Sequence, residues 1–183
     1  PSLLFEHDTI HRLALYLSEE EAALGAAESR MLPVAPAEHY ALSYAQQRLW
    51  FLEQLAAEGA GALYNVPCAV RLHGPLDRAV LERVFNEVVR RHESLRTTFV
   101  SVDGVPRQII AGELCLTLPL RDLSGVPAAR REAEVFALAS ADAQKPFDIA
   151  TGPLIRIELL RLSEREHVLL LNMHHIVSDG WSM

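Results

Sequence analysis

Residues Leu154 to Trp181 read LIRIELLRLSEREHVLLLNMHHIVSDGW, and this stretch decides the architecture. Leu154–Leu162 and His167–Met173 are apolar runs of strand length, separated by the polar, hairpin-length turn Ser163–Glu166. The successive leucines Leu169, Leu170 and Leu171 leave no polar face, so the second strand is expected to be covered on both sides.

The elements that provide such cover lie upstream. A helix is predicted from about Ser124 to Gln144, with Pro127 in its first turn. Another runs from Asp77 to His92, with an apolar stripe of Val80, Val84 and Val88 beside Leu81, Phe85 and Val89. Ser43 and Gln46 form a capping box at the start of a further helix, whose apolar face is expected to be Ala45, Leu49, Leu52 and Leu55, with Trp50 and Phe51 beside it. Strands are predicted at Tyr64–His73, Thr97–Val102, Pro106–Ile110 and Cys115–Leu120, the middle two joined through the hairpin dipeptide Asp103-Gly104. This order of helices and strands implies an α/β protein built as a layered sandwich. Ahead of it, Ile10, Leu13, Ala14 and Leu17 mark an amphipathic helix within residues 1–18. The apolar pattern then dissolves, and Pro33 and Pro36 close a stretch from 19 to 40 that reads as an interdomain linker or a long surface loop, before a domain at 41–183.

Composition narrows the functional classes. The net charge of −7 over 183 residues argues against a nucleic-acid surface, which needs clustered Lys and Arg. No apolar run approaches the ~18 residues of a membrane span, and the N-terminus lacks the basic-then-apolar layout of a secretory signal. Cys68 and Cys115 match no metal spacing and are expected to be buried in a reducing compartment, so a cytoplasmic protein is predicted, with neither nucleic-acid nor membrane partners.

The chemistry concentrates in MHHIVSDGWS, Met173–Ser182. Alternation along a strand sends His174 and His175 to opposite faces, which disfavours a shared metal ion. Two readings remain level on chemistry alone: a hydrogen-bonded histidine pair that ends a strand, or an acyl-transfer centre. In the second, the Asp179-Gly180 turn brings a carboxylate and an amide back towards the imidazole.

His174-His175-Ile176-Val177-Ser178-Asp179-Gly180 resembles the HHxxxDG motif of chloramphenicol acetyltransferase-like acyltransferases, and more narrowly that of nonribosomal peptide synthetase condensation domains. SYAQQRLWFLEQL (Ser43–Leu55), RHESLRTTF (Arg91–Phe99) and FDIATGPLIR (Phe147–Arg156) resemble further condensation-domain segments, in the same order. Residues Leu4–Ala14 are similar to the last helix of a peptidyl carrier domain. The resemblance implies one lobe of a two-lobed fold, with the C-terminal lobe absent from this chain and the isolated lobe inactive. Its reaction is amide formation between two carrier-bound thioesters. Upstream and downstream carrier domains would be the partners, and they would deliver 4'-phosphopantetheine arms with no cofactor bound directly. A carrier directly preceding the lobe favours an L-configured donor. The resemblance assigns catalysis to His175, as base or as positioning group, and supporting roles to His174, Asp179, Gly180 and Arg96. Asp179 is expected to be a buried carboxylate paired with Arg96, and Gly180 to bring its amide close to the reacting atoms. Another acyltransferase of the same fold, or a non-catalytic docking lobe, are the alternatives.

Overall fold

The computed structural model describes residues 34–55, 62–180 and 182. The helix expected within 1–18 and the linker residues 19–33 lie outside the described residues. In chain order the elements are β1 (Tyr40–Ala41), α1 (Tyr44–Leu55), β2 (Asn65–His73), α2 (Arg78–Arg91), a 3-10 turn (Glu93–Arg96), β3 (Thr97–Val102), β4 (Val105–Ile110), β5 (Leu120–Asp122), α3 (Ala128–Gln144), β6 (Ile155–Ser163) and β7 (Glu166–His174).

The decisive hairpin forms as its sequence requires. β6 and β7 pair antiparallel, and Ser163 faces Glu166 across the turn. They are the central strands of a sheet ordered β2-β7-β6-β5, with β2 antiparallel to β7 and β5 parallel to β6. A parallel pair needs a crossover, and α3 supplies it between β5 and β6. Both faces are covered. Leu169 joins Ile155, Ile157 and Leu159 beneath Val89 of α2, while Val168 and Leu170 join Leu160 and Leu162 beneath Val135 of α3. The helix–sheet–helix layering is therefore the expected α/β sandwich. A smaller sheet, β1-β4-β3, stands beside it, and its hairpin turns at Asp103 and Gly104 with φ of 52° and 77°, the left-handed pair that Asp-Gly accommodates.

Local signals account for where the helices begin. Ser43 and Gln46 exchange the capping-box bonds, the Ser43 amide donating to Gln46 Oε1 at 2.9 Å and the Gln46 amide to Ser43 Oγ at 3.2 Å. Asp77 caps α2 by accepting from the amides of Ala79 and Val80, an arrangement worth about 1 kcal/mol.

Four expectations are corrected. Val80, Val84 and Val88 are exposed, because α2 meets the sheet along the neighbouring row of Leu81, Phe85 and Val89. The stripe is wider than the contact. On α1, Ala45, Phe51 and Leu55 face solvent, and Leu49 and Trp50 make the inward contact. Cys115 is exposed and Cys68 half-buried, so neither is a fully buried core residue. Finally, Cys115–Leu120 is not a strand except at its last residue. Ahead of Pro119, whose carbonyl accepts from the Leu159 amide at 2.9 Å, the segment does not pair with β6, and side chains of α2 take the place of a strand partner. The Leu116 amide donates to Asn86 Oδ1 (2.8 Å) and its carbonyl accepts from Asn86 Nδ2 (2.9 Å). The Leu118 amide donates to Glu82 Oε2 and its carbonyl accepts from Arg78 Nε, both at 2.8 Å.

Candidate active site

β7 carries its alternation to its end and there separates the two histidines. His174, the last strand residue, has no exposed surface, whereas His175 is exposed on the opposite side. The His174 amide donates to the Leu154 carbonyl on β6 at 3.0 Å, and the His175 amide donates to the Tyr64 carbonyl just before β2 at 2.8 Å. The chain then turns, with Ile176 and Val177 buried in a cluster formed by Leu42, Phe99, Phe147, Ile149 and Leu154. Those two apolar residues anchor the loop that carries the polar ones.

The hydrogen bonds assign the protons on both rings. His174 Nδ1 accepts from the Ile176 amide at 3.1 Å, so its proton sits on Nε2, which donates to Glu53 Oε1 at 3.0 Å. His175 Nδ1 lies 2.8 Å from the Ser178 carbonyl, which can only accept, so Nδ1 carries a proton and, in the neutral ring, Nε2 presents a lone pair. An imidazole in this tautomer can accept a proton or a hydrogen bond at Nε2.

The buried ring is held from several directions. Tyr64 and Phe147 each meet His174 edge-on, with ring centroids 6.2 Å away. Phe147 is itself covered by the Arg156 guanidinium, 3.7 Å from its ring centre. Arg156 also donates to the carbonyls of Asp142, Lys145 and Pro146, and thereby satisfies the C-terminal end of α3, where a cation is favoured. The end of that helix, the aromatic ring and the histidine-bearing strand are tied together.

Burial, opposed by Glu53, holds His174 below the ordinary imidazole range. The folded chain therefore binds this proton less readily than the unfolded chain does. Stability is full above the unfolded value of about 6.5 and declines as pH falls below it. His167 acts in the same direction, chiefly through burial and then through Arg161. We expect the denaturant midpoint to drop between about pH 7.5 and pH 5.5, and His174→Gln to flatten that slope. A midpoint that rises on acidification would contradict the assignment.

Asp179 and Arg96 lie differently from the expectation. Asp179 is exposed, and its Oδ1 accepts from the Ser182 amide (3.0 Å) and hydroxyl (2.7 Å), closing a local turn. Arg96 donates to the Ala111 carbonyl and, at 3.1 Å, to Glu93 Oε1. The buried Arg96–Asp179 pair is thus not formed, because Arg96 is engaged by its own 3-10 turn and by the residue following β4. Gly180 is exposed, and a Cβ built there would meet nothing within 4 Å. Among the described residues, none approaches Gly180 closely enough to exclude a side chain there. Glu53 is the site residue that the sequence reading missed. Its signal was present: Glu53 follows Leu49 by four residues and Trp50 by three, which puts a carboxylate on the inward row of α1.

Among the described residues no group of His, Cys, Asp or Glu is placed to hold a metal ion, and no helix is long and apolar enough to cross a membrane.

Comparison with known proteins identifies the family. The sequence model of the condensation domain matches residues 36–183. A linear gramicidin synthase of Brevibacillus parabrevis is 48% identical over 182 residues, 98% of this chain but 3% of that protein. A surfactin synthase of Bacillus subtilis is 42% identical over 98% of the chain and 5% of its own length. The chain therefore spans only a few per cent of the length of these two synthetases. Among solved structures, the starter condensation domain of rhizomide synthetase RzmA superimposes with a TM-score of 0.71 at 30% identity, over 79% of this chain and 36% of that one. The first condensation domain of the calcium-dependent antibiotic synthetase gives 0.70 at 29% identity, over 79% and 34%. The family match covers most of the chain, including the strand that ends in His174, and the chain belongs to the condensation-domain family.

Proposed function

We propose that this chain is the histidine-bearing lobe of a nonribosomal peptide synthetase condensation domain, joining a carrier-bound donor thioester to the amine of a carrier-bound acceptor. The observation that carries the reading is His175 itself: exposed, with Nδ1–H committed to the Ser178 carbonyl and Nε2 free to accept. In the reaction the acceptor nitrogen attacks the donor thioester carbon. The C–N bond forms, the C–S bond breaks, and the surplus proton of the amine ends on the released thiol. An α-amine with a pKa near 8 is partly neutral at physiological pH, so Nε2 has two ways to help. It can hold the N–H that points away from the carbonyl, or it can take that proton as the bond forms. Both roles need the same tautomer.

The remaining assignments follow from the same reading. The thioesters would arrive on phosphopantetheine arms of upstream and downstream carrier domains. A second lobe would supply the opposite wall of the site; the superposition over 36% of the rhizomide synthetase chain is in keeping with this. Residues 1–18 would be the end of the upstream carrier and 19–40 its linker. The alignment of 182 residues with linear gramicidin synthase, beyond the 36–183 matched by the family model, supports that placement. The donor residue would be L-configured, and the site cytoplasmic.

The test is a condensation assay on the full-length protein, with donor and acceptor carriers loaded separately. The expected product is an amide on the acceptor carrier, read by mass spectrometry. Product from hydroxy-acyl acceptors but not from aminoacyl acceptors would replace this reading with an ester-forming one. Carrier binding without any product would replace it with a docking role.

A further inference from the structure

Glu53 lies on α1, far in sequence from the motif, yet its side chain is only 10% exposed and reaches the buried His174 ring. The proton arrangement gives this contact a direction. Glu53 Oε1 accepts from His174 Nε2–H, and that leaves His174 Nδ1 bare to accept from the Ile176 amide. Ile176 is the residue after His175, and it is buried, so its amide has no solvent to fall back on. With the opposite tautomer, Nδ1–H would face the Ile176 N–H, donor against donor.

We propose that Glu53 is a positioning residue for His175, acting by selecting the His174 tautomer. His175 is held at both of its peptide units: its own amide on the Tyr64 carbonyl and the next amide on His174 Nδ1. Its side chain is held in turn by the Ser178 carbonyl. Removing the acceptor at 53 frees the His174 ring to change tautomer, orphans the Ile176 amide, and loosens the peptide that aims His175. What position 53 must supply is a hydrogen-bond acceptor of the right length; its negative charge is secondary. The kinetic part of the inference rests on the function proposed above, whereas the tautomer part does not.

The test compares Glu53→Gln, which keeps a carbonyl acceptor, with Glu53→Leu, which fills similar space and accepts nothing. Two measurements are made on the full-length protein. Hydrogen exchange followed by mass spectrometry reads the peptide containing Ile176, independently of any activity. Exchange there should be about tenfold faster or more in Glu53→Leu and unchanged in Glu53→Gln, while peptides from the middle of β7 stay protected in both. In the condensation assay, Glu53→Leu should lower kcat by about 10²-fold with KM nearly constant, and Glu53→Gln should stay close to the parent. Equal exchange in all three proteins would overturn the proposal. So would an equal loss of activity in both variants, which would put the charge in control, and so would general unprotection of β7, which would reduce Glu53 to a packing role. If exchange behaves as expected and the parent protein makes no amide, the functional reading fails and the tautomer assignment stands.

Discussion

Replacing His175 with alanine is expected to lower amide formation by about 10²–10⁴-fold while the protein unfolds at nearly the parent's denaturant concentration. The asymmetry follows from where the side chain sits. It is exposed, and among the described residues its ring makes one hydrogen bond, to the Ser178 carbonyl within its own turn. Surface losses of that kind usually lie within about 0.5 kcal/mol. Its Nε2, by contrast, is the accepting atom on which the proposed reaction depends. Single-turnover rates with preloaded carriers, beside an equilibrium unfolding curve, measure both halves. Full activity in His175→Ala would remove this residue from the chemistry, and a large stability loss would make it a structural residue.

The second large effect is on stability. Phe99 is 1% exposed and packs with Ile176 and Val177 of the motif turn as well as Leu42, Phe147, Ile149 and Leu154. Phe99→Ala deletes a ring at the place where β3, the segment after α3 and the motif turn meet. The expected cost is about 3–5 kcal/mol, a large share of the roughly 5–15 kcal/mol that holds a typical domain together. Phe136, 74% exposed on α3, is the control: its replacement by alanine should change stability by no more than about 0.5 kcal/mol. Urea unfolding of the two variants decides the matter, and similar midpoints would mean that the turn is not anchored through this cluster.

The contrast between these residues shows what the sequence made legible. Strand alternation is a local rule, so a buried His174 beside an exposed His175 at the end of β7 could be read directly. The capping box and the Asp103-Gly104 turn were equally readable, because each is a local arrangement between a side chain and nearby backbone. The α2 stripe was read as a helix correctly and as a contact incorrectly. Periodicity identifies which residues are apolar, but which row of them meets the sheet depends on the docking angle, and that is a tertiary quantity. Glu53 escaped for a related reason. A carboxylate among apolar neighbours acquires meaning only when a buried donor is brought to it from 121 residues away. The expected Arg96–Asp179 pair came from resemblance instead of spacing, and here Arg96 bonds to Glu93 and Ala111 while Asp179 bonds to Ser182.

The row of Arg78, Glu82 and Asn86 along α2 has a consequence for how this molecule meets other copies of itself. An extended segment beside a sheet normally presents main-chain groups as a template to which a foreign strand can add. Here the amide and carbonyl of Leu116 and of Leu118 are already engaged by those three side chains. An incoming strand finds no vacant donors or acceptors at these two residues, and it would have to displace a helix to create them. The engaged groups disfavour edge-to-edge pairing at these two residues, and Pro119 beside them has no amide to offer. The weak point of this arrangement is Asn86, the side chain that serves both groups of Leu116: losing it would loosen the packing and uncover an adhesive edge in the same step.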